Sequence, residues 1–333
     1  MGTERASLMV GKYFRNVLVV GGGNVGVLLT YALISSSTKL SVYVLIRNTQ
    51  YLNLLKEGGV KIFTADGSLV RLEGSYFISY EELRRLDLFD MILVATKAYD
   101  SLEAIKAVKE YLRSDGVLIT CQNGLRSYEE ALNILGPKRT ATAVLNHGVY
   151  RVGPQEFRWI GGSTSYLGSK GVTKEVLYSI ASLFKVLGFQ VVDDIEPYRW
   201  LKLAVNAAIN PLTTLYEVKN KFVVTNENLF KIATMVVTET QKVAEKYGVR
   251  MPADPLEEVV RVAEATGENY SSMLQDLMQG KKTEIDYING EIVLRGREVG
   301  VSTPVNEVLW LMIKYKESLK SAASGHVSVE KIV

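Results

Sequence analysis

Asn16-Val17-Leu18-Val19-Val20-Gly21-Gly22-Gly23-Asn24-Val25-Gly26-Val27 joins an apolar, β-branched run to a cluster of glycines. Its first five residues form a short β-branched run, bounded by charge on one side and glycines on the other. They read as a buried strand. Residues 27–33 read as a helix, ended by Ser35-Ser36-Ser37. Between the two, Gly21, Gly23 and Gly26 stand in the order G-x-G-x-x-G. In that context the first glycine permits the tight turn and the second lets the backbone approach a pyrophosphate. The third lets helix pack on strand, and the helix N-terminus faces the phosphate charge. Gly21, Gly22, Gly23, Asn24, Val25 and Gly26 are therefore candidate cofactor-binding residues, with a generic glycine turn as the competing reading.

Working outward, buried apolar runs at residues 40–46, 91–95 and 117–120 read as further strands, with a helix near 102–112. Alternating buried strands and helices imply a parallel sheet. Short strand-like pieces follow at 141–145, 157–160 and 165–167. A helix near 172–187 and a strand at 189–192 close this part. The charges and proline of Asp193-Asp194-Ile195-Glu196-Pro197 suit a boundary. Beyond it the periodicity is helical: 225–247 with Thr225 as N-cap, then 256–265, 285–297 and 305–320. Residues after about 322 read as loose. The expected architecture is an α/β Rossmann-type N-terminal domain, residues 1–194, followed by an all-α C-terminal domain, residues 195–333, for substrate binding and dimerisation.

With 333 residues, 47% of them hydrophobic and 23% charged, the chain suits two globular domains. A net charge of +3 gives no argument for nucleic acid or an anionic membrane surface. One cysteine excludes an internal disulfide, and two histidines with it give no metal-site pattern. No apolar run reaches the roughly 20 residues of a membrane span, and the N-terminus lacks a signal-peptide core. The cytoplasm is the expected compartment, with no metal, nucleic-acid or membrane partner.

Three further stretches carry chemistry. In Trp200-Leu201-Lys202-Leu203-Ala204-Val205-Asn206-Ala207-Ala208-Ile209-Asn210-Pro211, Lys202, Asn206 and Asn210 fall on one helical face. A helix gains no stability by aiming three such groups at its own core, but a small polar ligand would use them. Ser271-Ser272-Met273-Leu274-Gln275-Asp276 and Thr283-Glu284-Ile285-Asp286-Tyr287-Ile288-Asn289-Gly290 add hydroxyls and carboxylates. Ligands of open parallel sheets lie beyond the strand C-termini, where Ala95-Thr96-Lys97-Ala98-Tyr99 and Cys121-Gln122-Asn123-Gly124 stand. Lys97 can reach a ribose hydroxyl or a substrate carboxylate, and Asn123 can position the nicotinamide or the reacting group; a solvated loop lysine and a turn residue are the bland readings. Cys121 reads as a small buried hydrophobe, with a mixed disulfide to a small thiol as the minority reading. His147 reads as structural. About twenty residues past the glycines, where an NAD enzyme usually shows an acid, stands Ile46-Arg47-Asn48. Arg47 could pair with a 2′-phosphate, which favours NADPH while leaving NADH open.

Together these residues give a resemblance to the ketopantoate reductase (2-dehydropantoate 2-reductase) family. It runs from the glycine loop through Thr96-Lys97-Ala98, Gln122-Asn123-Gly124, Lys202 to Asn206, Asn210-Pro211 and the Ser271 and Thr283 stretches to Pro304. It implies NADPH-dependent reduction of 2-dehydropantoate to (R)-pantoate, in pantothenate and coenzyme A biosynthesis. It further implies Lys202 as general acid and Glu284 as a catalytic carboxylate binding lysine, substrate and cofactor. Asn123, Asn206, Asn210, Ser272 and Lys97 would hold the substrate, with Lys97 and Asn123 beside the cofactor. Hydride transfer to a ketone builds charge on oxygen, and a protonated lysine supplies both cation and proton. Asp276 and Asp286 rank as structural. Residues 1–15 are an extension of no assigned role, and Arg126 stands where small residues are common. The alternatives are a reductase of another branched 2-oxo acid and a non-catalytic NAD(P)H sensor. Apolar helix in excess of one small domain's need points to a homodimer.

Overall fold

The computed structural model describes residues 14–36 and 39–323. Most of the N-terminal extension and the tail expected to be loose lie outside them. Contacts divide the chain into two units: the residues up to Gln122 with Arg126–Ile195, and Asn123–Leu125 with Glu196 onward.

The first unit contains β1 (Asn16–Val20), β2 (Ser41–Leu45), β3 (Val60–Phe63), β4 (Leu69–Leu72), β5 (Phe77–Ile78), β6 (Phe89–Val94), β7 (Leu112–Thr120), β8 (Thr140–Val144), β9 (His147–Gly153), β10 (Glu156–Gly162), β11 (Ser165–Gly168) and β12 (Phe189–Val191). Eight of them form one sheet in the order β12-β11-β8-β7-β6-β1-β2-β5. All neighbours run parallel except β8 and β11. β1 lies in the interior, Val19 paired with Val44 on one side and Leu93 on the other. Its alternate residues feed two cores: Val17 and Val19 join Val44, Leu93 and Ile119, while Leu18 and Val20 join Leu45, Ile92 and Leu118. A strand covered on both faces has to be apolar throughout, hence the unbroken Val17-Leu18-Val19-Val20. The chain passes from β1 to β2 on one side and returns to β6 on the other. The strand order therefore reverses beside the glycine turn, where open α/β sheets bind ligands.

A second sheet, in the order β4-β3-β10-β9, was not expected from the sequence. β3 and β4 are four residues each and only partly buried, too short for a periodicity signal. The turn joining them carried one: Asp66-Gly67, with Gly67 at φ 86° and Asp66 accepting from the Thr64 hydroxyl. Two boundaries shift. The helix expected over 102–112 is α-helical for Ser101–Val108, tightens into a 3₁₀ turn, and gives way to β7 at Leu112. β7 thus starts earlier than its apolar stretch, because residues 113–115, which follow the buried Leu112, run exposed.

The second unit is helical, built around the 21-residue helix Glu196–Tyr216. Its apolar faces pack with Val236, Val259, Met273, Ile292 and Leu309 from the helices Glu227–Lys246, Pro255–Ala265, Ser272–Met278, Asn289–Glu298 and Pro304–Ala323. The cap of Glu227–Lys246 is Asn226, not Thr225: the Asn226 carboxamide accepts from Asn228 and Leu229 N–H, while Thr225 bonds back to Lys221 and ends a short helix of its own. The helix expected over 285–297 is divided. Ile285–Tyr287 is a 3₁₀ turn, Ile288 breaks at φ −115°, ψ −93°, and the α-helix is Asn289–Glu298.

Pro211 lies inside the central helix and has no N–H for the Ala207 carbonyl. Asn289, fully buried, donates its side-chain Nδ2 to that carbonyl at 3.1 Å and to Asn306 Oδ1 at 3.0 Å. Asn306 in turn donates to Glu239, whose carboxylate also accepts from the Val305 and Asn306 N–H groups at the start of the last long helix. Asn210-Pro211 and Asn289-Gly290 are far apart in sequence but answer one another in structure.

Candidate active site

The glycine loop of the first unit is built as its spacing requires. Gly21 holds φ 107°, a conformation side chains avoid, and its N–H donates to the Leu45 carbonyl at 3.0 Å. A Cβ on Gly26 would lie 1.8 Å from the Gly21 carbonyl oxygen, so only glycine lets the helix Asn24–Ile34 start there. A Cβ on Gly23 would meet nothing within 4 Å. Open space over the N-cap residue is a cradle that a side chain would fill and a phosphate can enter. The first helical bond runs from Val27 N–H to the Gly23 carbonyl at 2.9 Å, which leaves the N–H groups of Asn24, Val25 and Gly26 without intrahelical acceptors. These features fit a dinucleotide's pyrophosphate.

Two residues that sequence reasoning missed brace this loop. The Tyr51 hydroxyl donates to the Gly22 carbonyl at 3.1 Å and accepts from Arg151 of β9 at 2.5 Å. The Arg151 guanidinium also lies 4.6 Å from the Tyr51 ring centroid. Burial pushes the Tyr51 phenol up, against the pull of Arg151.

Arg47 is exposed at the end of β2, but its guanidinium is engaged. Nη1 and Nη2 donate to the two Asp100 oxygens at 3.1 and 3.3 Å. The Asp100 hydrogen bonds and charge hold Arg47 above its ordinary value. Lys97 begins the 3₁₀ turn Ala98–Asp100 after β6. Cys121 is 6% exposed and sits in the sheet core, its Sγ 3.8 Å from the Ile119 carbonyl. That fits the small buried hydrophobe, because reaction with an outside thiol would first need local opening. His147 is held on both ring nitrogens, Nε2 at 2.9 Å from the Leu187 carbonyl and Nδ1 accepting from Trp159 at 3.3 Å, a structural arrangement.

In the second unit Lys202, Asn206 and Asn210 lie two turns deep along the central helix, the first two half-buried and Asn210 only 5% exposed. The Asn210 Nδ2 has no hydrogen-bond partner among the described residues. Such an atom costs free energy unless something polar meets it. Glu284, 6% exposed, accepts from Asn123 Nδ2 at 3.2 Å. Asn123–Leu125 thus belong with the helices although they follow the sheet strand β7. Gly124, at φ 84°, allows this: a Cβ there would lie 2.5 Å from the Tyr287 carbonyl. Arg199, buried and paired with Glu196 at 2.7 Å, donates to the Leu125 carbonyl and fixes the same turn.

The two serines divide the work. Ser271 is buried, caps Ser272–Met278 by accepting from Leu274 N–H, and accepts from the Thr213 hydroxyl at 2.7 Å. Ser272, the first residue of that helix, is exposed. Asp286 is structural: it accepts from Trp310 Nε1 at 2.7 Å and Lys314 at 3.1 Å. Burial pushes its carboxyl up, but those donors and Lys282 hold it below its ordinary value.

The family described as "Ketopantoate reductase PanE/ApbA" matches residues 17–171, and its C-terminal counterpart matches residues 194–317. The 2-dehydropantoate 2-reductase of Pyrobaculum aerophilum is 38% identical over 90% of this chain and 98% of its own, and that of Pyrococcus abyssi 32% identical over 91% and 98%. A ketopantoate reductase structure from Ralstonia eutropha superposes with a TM-score of 0.80 at 25% identity, covering 92% of this chain and 99% of that one. D-Mandelate dehydrogenase, solved with NADH and anilino(oxo)acetate, superposes at 0.81 over the same shares and, at 22% identity, shows the shared fold alone. Both units being matched, and the relatives spanned almost end to end, the chain belongs to the ketopantoate reductase family.

Proposed function

We propose that the chain reduces 2-dehydropantoate to (R)-pantoate with NADPH as cofactor and NADH as a usable second. The observation that carries the substrate half is the buried Asn210 Nδ2, unpartnered among the described residues, on the helix that also presents Lys202 and Asn206. It is supported by curated relatives of the same activity. Bound reduced nicotinamide supplies a hydride to the ketone carbon.

Lys202 meets the negative charge growing on the ketone oxygen and donates the proton that completes the alcohol. Positioned acid catalysis is worth about 10²–10⁴-fold, and charge stabilisation adds to it. Asn206 and Asn210 bind the substrate's 4-hydroxyl, and Ser272 takes its carboxylate. Glu284 holds Asn123, as its hydrogen bond supports, and binds Lys202. Gly21 to Gly26 cradle the pyrophosphate, Arg47 meets a 2′-phosphate, and Lys97 serves ribose or substrate carboxylate. The same reading includes a homodimer. Its support is the helix Pro304–Ala323, where Val308, Leu311, Met312, Tyr315 and Leu319 are exposed on one stripe suited to a second copy. No helix among the described residues is long and apolar enough to cross a membrane. We place the activity in the cytoplasm, whose reducing conditions suit a lone cysteine.

The test is turnover of 2-dehydropantoate beside 3,3-dimethyl-2-oxobutanoate, which lacks the 4-hydroxyl. Leaving Asn206 and Asn210 unpaired predicts a loss of about a hundredfold or more in kcat/KM. Equal rates would point to another branched 2-oxo acid, and binding without turnover to a sensor.

A further inference from the structure

The end of β2 carries no acid for a ribose, yet a carboxylate is present there. Asp100 reaches it from the turn after β6, pairing with Arg47 through both oxygens. The sheet order is β6-β1-β2, and β1 ends in the glycine loop, so this pair straddles the strand end at which the strand order reverses. Dinucleotide folds use an acid at this place to accept the ribose 2′-hydroxyl, or an arginine to accept a 2′-phosphate. This chain has both, on each other.

We propose that Asp100 sets the nucleotide preference: it accepts the 2′-hydroxyl of NAD(H) and, by engaging Arg47 and opposing a phosphate, restrains the preference for NADP(H). The inference rests on the dinucleotide reading of the glycine loop. Asp100 begins the helix Ser101–Val108, but its side chain caps no N–H there, so the carboxylate has no local structural duty. The ion pair is open to solvent, with side-chain exposures of 74% and 32%. Such pairs add little to stability, and Asp100 variants should fold. With a nucleotide bound, two of the guanidinium's five donors are spoken for by Asp100, and the rest remain for a phosphate.

The magnitude follows from charge. Removing one unit charge about 6 Å from a phosphate carrying nearly two is worth about three- to tenfold in affinity after screening. Replacing a charge-assisted acceptor by a neutral one weakens a 2′-hydroxyl contact by a similar factor.

The experiment is calorimetric titration of NADP⁺ and NAD⁺ into the full chain, without substrate, for wild type, Asp100→Asn, Asp100→Ser and Arg47→Ala. Melting curves confirm that each variant is folded. The expected result is tighter NADP⁺ and weaker NAD⁺ binding in both Asp100 variants, moving the ratio of dissociation constants about tenfold or more toward NADP⁺. Arg47→Ala should move it the other way. A ratio within twofold of wild type in both Asp100 variants overturns the proposal while leaving the dinucleotide reading intact. No binding of either nucleotide to wild type overturns both.

Discussion

Alanine at Gly23 and at Gly26 should fail for opposite reasons. At Gly26 the added Cβ would lie 1.8 Å from the Gly21 carbonyl oxygen, against the 3.0 Å that Cβ atoms keep from their neighbours. Backbone must then move by at least 1.2 Å, the difference of the two. Forced overpacking of this kind costs about 1–3 kcal/mol or more, and Gly26→Ala should melt several degrees lower. At Gly23 the backbone is extended, φ −83° and ψ −170°, which alanine adopts freely, and the methyl meets nothing within 4 Å. Its stability should change by less than about 1 kcal/mol, since reduced chain entropy and the weaker N-cap nearly cancel. The methyl does fill the space a phosphate needs. Losing one or two charge-assisted N–H bonds at about 1.5–3 kcal/mol each predicts NADP⁺ binding weaker by about 10²-fold or more. Melting curves with and without NADP⁺, and titration calorimetry, read both effects. A Gly23→Ala protein that melts like wild type and binds NADP⁺ like wild type would refute the cradle.

Asn289→Ala strands the Ala207 carbonyl left over by Pro211 and takes the Asn289 donor from Asn306 Oδ1, both in buried residues. The cost should be about 3–5 kcal/mol, a Tm lower by roughly 10 °C; a fall under about 2 °C would show that Pro211 needs no such partner. Asp286→Asn should destabilise near neutral pH and progressively less in acid. The Asp286 carboxyl is held below its ordinary value in the fold, so its contribution is present above the unfolded carboxylate range and lost as pH falls through the folded value. A gap between wild type and variant that persists in acid contradicts that. Leu311→Glu, on the exposed stripe, should convert a homodimer to monomer by light scattering, and a wild-type monomer mass would end the dimer reading.

The sheet was legible because its central strands are buried on both faces, which forces unbroken apolar runs such as Val17 to Val20 and Met91 to Val94. The second sheet was not: β3 and β4 are short and half-exposed, and only Asp66-Gly67 between them announced a hairpin. The face shared by Lys202, Asn206 and Asn210 was legible from helical period alone. What the sequence left hidden depends on pairs far apart in the chain. Arg47 reads as an exposed cation until Asp100 is placed beside it, the role of Asn289 emerges only when Pro211 is placed beneath it, and Tyr51 and Arg151 carry no motif. Two adjacent serines in Ser271-Ser272 likewise look equivalent until one is buried as a cap.

In the proposed function Lys202 donates the proton that completes reduction of 2-dehydropantoate. The most direct measurement is steady-state oxidation of NADPH and NADH with that substrate, for wild type and Lys202→Ala. Wild type should turn over with both nucleotides, and the variant should still bind NADP⁺ but lose at least about a hundredfold in kcat. A folded Lys202→Ala enzyme turning over within a few-fold of wild type would contradict that role.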